Sequence, residues 1–145
     1  MVYIIGAGPG DPELITVKGQ RLLKEADVII YAGSLVNPAL LDYAKADCEI
    51  YNSASMTLGE VIETITAAEQ EGKMTVRLHT GDPAIYGAIQ EQMDELSRRN
   101  IEYTVIPGVS SFLATAAALK QEYTLPEISQ TVIITRNEGR TPVPE

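Results

Sequence analysis

VRLHTGDPAIYG, residues 76–87, is the stretch around which the chain is organised: a short apolar run breaks into a turn, and a helical pattern then begins. Two other stretches have the same order of features. Residues 2–5 run into the glycine-rich loop at 6–11, and residues 103–106 run into Pro-Gly-Val-Ser-Ser at 107–111. In an open parallel α/β sheet, the loops that follow the carboxyl ends of the strands meet at one edge, where ligands bind. The three loops therefore predict a ligand pocket at that edge.

Length and composition indicate one globular domain. The chain has 145 residues, of which 45% are hydrophobic and 21% charged, enough for a core that needs no disulfides or metals. No apolar run approaches the roughly 20 residues that a membrane span requires, and the first residues do not resemble a secretory signal. A lone cysteine, Cys48, excludes an intramolecular disulfide. These features predict a cytoplasmic protein without a membrane span.

The charge balance disfavours nucleic acid as a partner. Eleven Lys and Arg against twenty Asp and Glu leave a net charge of −9, which repels a phosphate backbone. We therefore expect a small-molecule ligand. A polyanionic ligand would have to meet a local group of cations, because the chain as a whole repels it.

The spacing of apolar residues predicts an α/β fold, with a mainly parallel sheet of about five strands flanked by helices. Strands are expected at residues 2–5, 27–31, 48–51, 73–79 and 103–106. Helical segments are expected at residues 15–26, 38–44, 58–72, 85–99 and 111–119. The helix after Thr57 is the clearest of these, because Thr57 and Glu60 have the spacing of a capping box and Gly72 is placed to end it.

The last part of the chain departs from this alternation. We expect residues 1–120 to form an N-terminal α/β domain and residues 121–145 to form a connector with the first strand toward a second domain that is absent from this chain. That strand is expected at residues 131–135, where a β-branched run has no helix after it to cover it.

The first loop does not have the spacing of a dinucleotide-binding fingerprint. A G-x-G-x-x-G motif starting at Gly6 would need its third glycine at position 11, which is Asp11. Pro9 also removes one backbone N–H donor. A nicotinamide-binding domain is therefore disfavoured, while a purely structural turn stays open for this loop taken alone.

The other two loops contain residues with a plain structural interpretation as well. Asp82 is placed to cap the following helix, with Pro83 in its first turn. His79 is the sole histidine and has no ligand partner at metal-binding spacing, so we expect no metal site and a strand-end residue with a hydrogen bond. Ser110 and Ser111 lack the partners of a serine hydrolase, which favours helix caps or donors to a ligand.

Taken together and in this order, the three loops resemble those of the tetrapyrrole methylase family, whose members transfer methyl from S-adenosylmethionine to corrin and porphyrin precursors. The segments YAGSLVNP at 31–38 and TRNEGRTP at 135–142 are similar to the branch that methylates precorrin-4 or cobalt-precorrin-4 at C11 in cobalamin synthesis. Family members have two α/β domains with the cofactor in the cleft between them. This resemblance implies that the chain is the N-terminal half of such an enzyme and is inactive alone.

The resemblance also implies site residues. Contacts to S-adenosylmethionine are expected from Pro9, Thr80, Gly81, Asp82, Ile85, Ser110 and Ser111. Asp11 is the candidate for orienting the tetrapyrrole or handling a proton. The partners expected are the tetrapyrrole substrate, the absent second domain and, by the habit of the family, a second copy in a homodimer.

The tetrapyrrole carries several carboxylates, which arginine binds well. The candidate cations by sequence position are Lys18, Arg21, Arg136 and Arg140, with solvated surface charge as the alternative for the first two. Three other functions stay open: methylation of another tetrapyrrole position, a nicotinamide-binding domain, and a non-catalytic module that binds S-adenosylmethionine or dimerises.

Overall fold

A computed structural model of the chain describes residues 1–137 and contains a five-stranded parallel sheet. The strands are β1 (Val2–Gly6), β2 (Val28–Tyr31), β3 (Glu49–Asn52), β4 (Thr75–His79) and β5 (Tyr103–Ile106). Their spatial order is β3-β2-β4-β1-β5, and every neighbouring pair is parallel. The predicted parallel α/β fold is thus confirmed, and the strand expected at residues 48–51 lies at one edge.

Side chains cap the first two of the four α-helices found within residues 1–137. The four are α1 (Val17–Glu25), α2 (Leu58–Gln70), α3 (Gln90–Arg98) and α4 (Ser111–Leu119), and a 3-10 helix covers Pro38–Tyr43. Thr16 caps α1 by accepting the Gly19 amide at 3.0 Å. Thr57 and Glu60 form the predicted capping box of α2. Gly72, with a φ of +71°, follows the end of that helix.

Two apolar layers cover the two faces of the sheet. On one face, Leu22 and Leu23 of α1 pack with Ile29 of β2 and Leu78 of β4. On the other face, the buried stripe of α2 packs with Val28 and Ile30 of β2, together with residues of α3. Because both faces are covered, β1 and β2 are apolar almost throughout.

The helix after β4 begins later than the sequence predicted. Residues 83–86 form a turn, and α3 begins at Gln90 rather than near Ile85. The backbone at Tyr86 and Ala88 has positive φ values of 56° and 50°, a conformation that a right-handed helix excludes. Asp82 therefore caps a turn, by accepting the Ala84 amide at 2.8 Å, and the prediction that it caps a helix was wrong. Ile85 lies in the loop as a result.

The strand expected at residues 131–135 is not formed. Residues 131–137 have no regular secondary structure, and Ile133 is 83% exposed. A strand needs a neighbour to pair with its backbone, and no sheet pairing involves this segment within the described residues. The chain divides into two compact units, residues 1–114 and 115–145, and the sheet lies in the first. The predicted domain boundary at residue 120 stays a prediction.

Residues 1–137 contain no helix long and apolar enough to cross a membrane.

Three glycines from three loops meet at the carboxyl edge of the sheet. A Cβ atom on Gly6, at the end of β1, would lie 2.5 Å from the carbonyl oxygen of Gly81 and 2.6 Å from the Cα of Gly108. A Cβ on Gly108 would lie 2.8 Å from the Cα of Gly6 and would also collide with the Gly81 oxygen. Real Cβ atoms do not approach backbone that closely, so only glycine fits at positions 6 and 108. We call Gly6, Gly81 and Gly108 the glycine contact.

Replacing Gly108 by alanine should destabilise the protein by about 1–3 kcal/mol, because the new Cβ forces rigid backbone apart. The matched control is Gly59→Ala in α2, where a Cβ meets nothing closer than 3.8 Å and helix propensity should stabilise by about 0.5–1 kcal/mol. Urea unfolding of both variants measures the difference. Equal effects from the two substitutions would show that the glycine contact does not constrain the fold.

Candidate functional site

A cleft of about 430 Å³ opens at the carboxyl edge of the sheet. Its walls come from the loops after β2, β4 and β5, namely residues 32–35, 80–88 and 110–112, and its lining includes Arg77 and His79 from the end of β4. This volume falls in the range of small-molecule sites, and the position is the one where open parallel sheets bind their ligands. The structure therefore supplies a pocket at the predicted edge.

Six of the seven residues predicted to contact a cofactor line this cleft. Those six are Thr80, Gly81, Asp82, Ile85, Ser110 and Ser111. The late start of α3 is what places Ile85 there, because that residue lies in a loop instead of on a helix face. The groups at the cleft are mainly hydroxyls, apolar side chains and backbone, with Asp82 as the sole acid among the lining residues.

Pro9 and Asp11 lie in the first loop and are not among the residues that line the cleft. Gly8, next to Pro9, pairs with Gly81 through two backbone hydrogen bonds of 2.8 and 3.2 Å. Asp11 is exposed, and its carboxylate accepts the Glu13 amide at 2.9 Å, which caps a short 3-10 turn. Pro9 thus follows a residue that is hydrogen-bonded to Gly81 of the cleft, while Asp11 has a structural role in its own loop.

Asp82 joins two of the loops. One carboxylate oxygen accepts the Ala84 amide at 2.8 Å and the other accepts the Gly108 amide at 2.9 Å. A carboxylate that accepts backbone N–H groups makes charge-assisted bonds, which are stronger than neutral ones. Asp82 therefore holds the loop after β4 in a fixed relation to the loop after β5.

Asn37 joins the loop after β2 to the loop after β1. Its side-chain nitrogen donates to the carbonyl of Gly10 at 2.7 Å, and its side-chain oxygen accepts the Ala39 amide at 3.0 Å. The loop after β2 is thereby tied to the loop after β1. All four loops at this edge are held by polar contacts that leave the cleft open.

Two of the four cations proposed by sequence position, Lys18 and Arg21, lie away from the lining of this cleft. Lys18 and Arg21 are exposed on α1, and Arg21 forms an ion pair with Glu25 at 3.0 Å. Arg136 belongs to the second compact unit, and Arg140 lies outside the described residues. Neither Lys18 nor Arg21 is among the residues that line the cleft.

The sequence interpretation missed the buried cation of the cleft. Arg77 is 6% exposed and donates to the side-chain oxygen of Gln92 at 3.0 Å and to the carbonyl of Ile30 at 3.1 Å. Burial lowers the pKa of its guanidinium to about 10, so that it stays charged at neutral pH. A signal was present, since a charged residue in the middle of a strand predicted to be buried is uncommon.

His79 differs from its prediction. It is 5% exposed, and its Nε2 atom has no hydrogen-bond partner among the described residues, whereas a hydrogen bond was expected. Burial, together with the nearby charge of Arg77, lowers the pKa of the imidazole to about 3. His79 is therefore neutral at physiological pH.

No group of three or more His, Cys, Asp or Glu in residues 1–137 is placed to hold a metal ion.

The free energy of unfolding should fall by about 2 kcal/mol between pH 7 and pH 5, because the unfolded chain binds a proton on His79 with a pKa near 6.5 and the folded chain does not until about pH 3. The sequence has no other histidine. Acids with lowered pKa values, such as Asp27 beside Lys45, lose their contribution only at lower pH. Denaturant unfolding across this range measures the slope. The same slope in His79→Gln would contradict the assignment.

The chain is similar to proteins of known name over nearly its whole length. It is 66% identical over 144 residues to the cobalt-precorrin-4 C(11)-methyltransferase of Methanocaldococcus jannaschii, covering 99% of this chain and 56% of that protein. The X-ray structure of a cobalamin biosynthetic enzyme, cobalt precorrin-4 methyltransferase, matches with a TM-score of 0.96 and 56% identity, covering 99% of this chain and 60% of that one. The chain therefore spans little more than half the length of these relatives.

A third match is a uroporphyrin-III C-methyl transferase from Thermus thermophilus, solved in complex with S-adenyl homocysteine. It is 38% identical, with a TM-score of 0.68, and the match covers 79% of this chain and 47% of that one. Finally, residues 1–144 match the sequence model of the Tetrapyrrole (Corrin/Porphyrin) Methylases. The fold, the position of the cleft and this match agree with the resemblance found in the three loops, and the chain belongs to the tetrapyrrole methylase family.

Proposed function

We propose that this chain supplies the cofactor-binding half of an S-adenosylmethionine-dependent methyltransferase that acts on precorrin-4 or cobalt-precorrin-4 at C11 in cobalamin synthesis. The observation that supports this most directly is the 66% identity, over 99% of the chain, to a protein named for that reaction. The remainder of the longer protein would supply the second wall of the site. A cytoplasmic homodimer stays a prediction.

The cleft fits the proposed cofactor. S-adenosylmethionine offers an adenine, ribose hydroxyls and an amino-acid end, which need backbone groups and small hydroxyls rather than a phosphate cradle. Thr80, Ser110 and Ser111 bring hydroxyls, and Ile85 brings an apolar surface. The buried Nε2 of His79 is a polar atom without a partner in the described residues, as expected where a ligand supplies the missing contact.

These residues would contribute to the reaction by positioning the reactants. When bound, the cofactor supplies a methyl group already activated on a sulfonium sulfur, so the protein needs no nucleophilic side chain. Asp82 and the glycine contact fix the loops, and the fixed loops would hold the two reactants in line, which is where most of the rate enhancement arises. The role proposed for Asp11, orienting the tetrapyrrole or taking a proton, rests on its place in the first loop alone.

Titration of the 145-residue chain with S-adenosylhomocysteine, followed by amide NMR shifts, tests the cofactor site. We expect the largest shifts at Thr80, Gly81, Asp82, Ser110 and Ser111, since these residues line the cleft. NAD serves as the control ligand. The proposal would be contradicted if S-adenosylhomocysteine caused no amide shifts, or if NAD caused equal shifts at the same residues.

Loss of one cleft hydroxyl should weaken that binding measurably. Ser110→Ala removes a group worth about 1 kcal/mol, which corresponds to a dissociation constant about fivefold higher. The matched control is Ser97→Ala on the exposed side of α3, whose hydroxyl donates to the Tyr103 hydroxyl at 3.4 Å and does not line the cleft. If Ser97→Ala weakened binding as much as Ser110→Ala, the hydroxyl would not be acting at the cleft.

A further inference from the structure

One face of β4 carries a buried polar row. Thr75, Arg77 and His79 alternate with the apolar Val76 and Leu78, and they are 1%, 6% and 5% exposed. Such a row is unusual in a central strand covered on both faces, where runs of apolar residues are expected. The two members nearer the carboxyl end of β4, Arg77 and His79, line the cleft.

Arg77 is a buried cation with no anion beside it. Its two acceptors, the Gln92 side chain and the Ile30 carbonyl, are both neutral. It forms no ion pair within residues 1–137. These acceptors occupy two of the five N–H donors of a guanidinium. A buried charge without a counter-ion is strongly unfavourable, so the site calls for an anion from outside the chain.

The acid among the residues that line the cleft, Asp82, does not serve as a counter-ion for Arg77. Asp82 lines the same cleft, but its two oxygens accept the amides of Ala84 and Gly108. His79 contributes no charge of its own, because burial lowers its pKa to about 3. Its partnerless Nε2 is buried and belongs to a residue that lines the cleft. The floor of the cleft thus combines one uncompensated positive charge with one unused hydrogen-bonding atom.

We propose that Arg77 and His79 form a carboxylate-binding floor in the cleft, with the guanidinium supplying charge and forked donors and the imidazole Nε2–H a further donor. A guanidinium matches the planar geometry of a carboxylate. The inference rests on the proposed function for the identity of the ligand. Two ligands bring a carboxylate: the amino-acid end of the cofactor, and a side chain of the tetrapyrrole.

Three probes separate these sources. S-adenosylhomocysteine has the carboxylate, and its decarboxylated form, S-adenosyl-3-thiopropylamine, keeps the adenosine, the sulfur and the amine but lacks it. Uroporphyrin supplies tetrapyrrole carboxylates without the cofactor. NMR titration of the chain gives the dissociation constant of each probe. The informative quantity is the dissociation constant of the decarboxylated form divided by that of S-adenosylhomocysteine.

Two variants test the positive charge of Arg77 in different ways. Arg77→Met removes the guanidinium and its charge. Gln92→Glu places a carboxylate where the Gln92 oxygen now accepts the Arg77 Nε–H at 3.0 Å, so that the charge of Arg77 is satisfied from within the chain. Arg98→Met is the matched control, because it removes an exposed arginine from α3, the helix that contains Gln92.

We expect the wild-type chain to prefer S-adenosylhomocysteine over its decarboxylated form by roughly tenfold, as a charge-assisted bond implies. That preference should fall to about two- or threefold in Arg77→Met and Gln92→Glu and stay unchanged in Arg98→Met. A merely structural role for Arg77 would weaken both nucleosides equally and leave the ratio as it was. A wild-type ratio near one, with uroporphyrin binding weakened in the two variants, would assign the floor to the tetrapyrrole.

The inference is overturned if neither the ratio nor the affinity for uroporphyrin changes in Arg77→Met and Gln92→Glu. If both nucleosides bind and shift the loop amides in that case, the proposed function stands without the carboxylate floor. If none of the three probes binds the wild-type chain, both proposals fail together.

Discussion

The site depends on one close backbone contact, in which Gly6, Gly81 and Gly108 meet at the carboxyl edge of the sheet. Because no side chain separates them, the loop after β4 approaches the first loop closely enough for Gly8 and Gly81 to exchange backbone hydrogen bonds. Asp82 then accepts the Gly108 amide and fixes the third loop. The cleft is therefore framed by backbone groups whose positions follow from the sheet, an arrangement that holds a ligand more rigidly than long side chains would.

The parts of the fold that depend on neighbouring residues were predictable from the sequence. Thr57 and Glu60 are three positions apart, so the capping box of α2 is visible in the sequence and is confirmed. The apolar runs that became β1 and β2 are equally local signals. The three glycine loops were predicted to meet at one edge, and they do, because parallel strands with intervening helices bring their carboxyl ends to the same side.

The parts that depend on distant partners were not predictable. The run at residues 131–135 has strong β propensity but pairs with nothing in the described chain, and propensity without a partner does not make a strand. The positive φ at Tyr86 and Ala88 delays α3, although the apolar spacing continues through Ile85. The burial of Arg77 depends on Gln92 in α3 and Ile30 in β2, contacts that join residues 15 and 47 positions apart.

The proposed role of Arg77 would also reconcile the acidic chain with the anionic ligand proposed for the cleft. Exposed charges are screened over about 10 Å at moderate ionic strength, so the net charge of −9 governs the approach of a ligand more than its bound state. In the cleft the dielectric is lower, and a charge acts there several times more strongly than in water. Acids elsewhere, such as Glu25 and Glu49, are partly offset by their own ion pairs. One desolvated guanidinium on the cleft floor can therefore outweigh many surface carboxylates, provided that the ligand brings the carboxylate that β4 lacks.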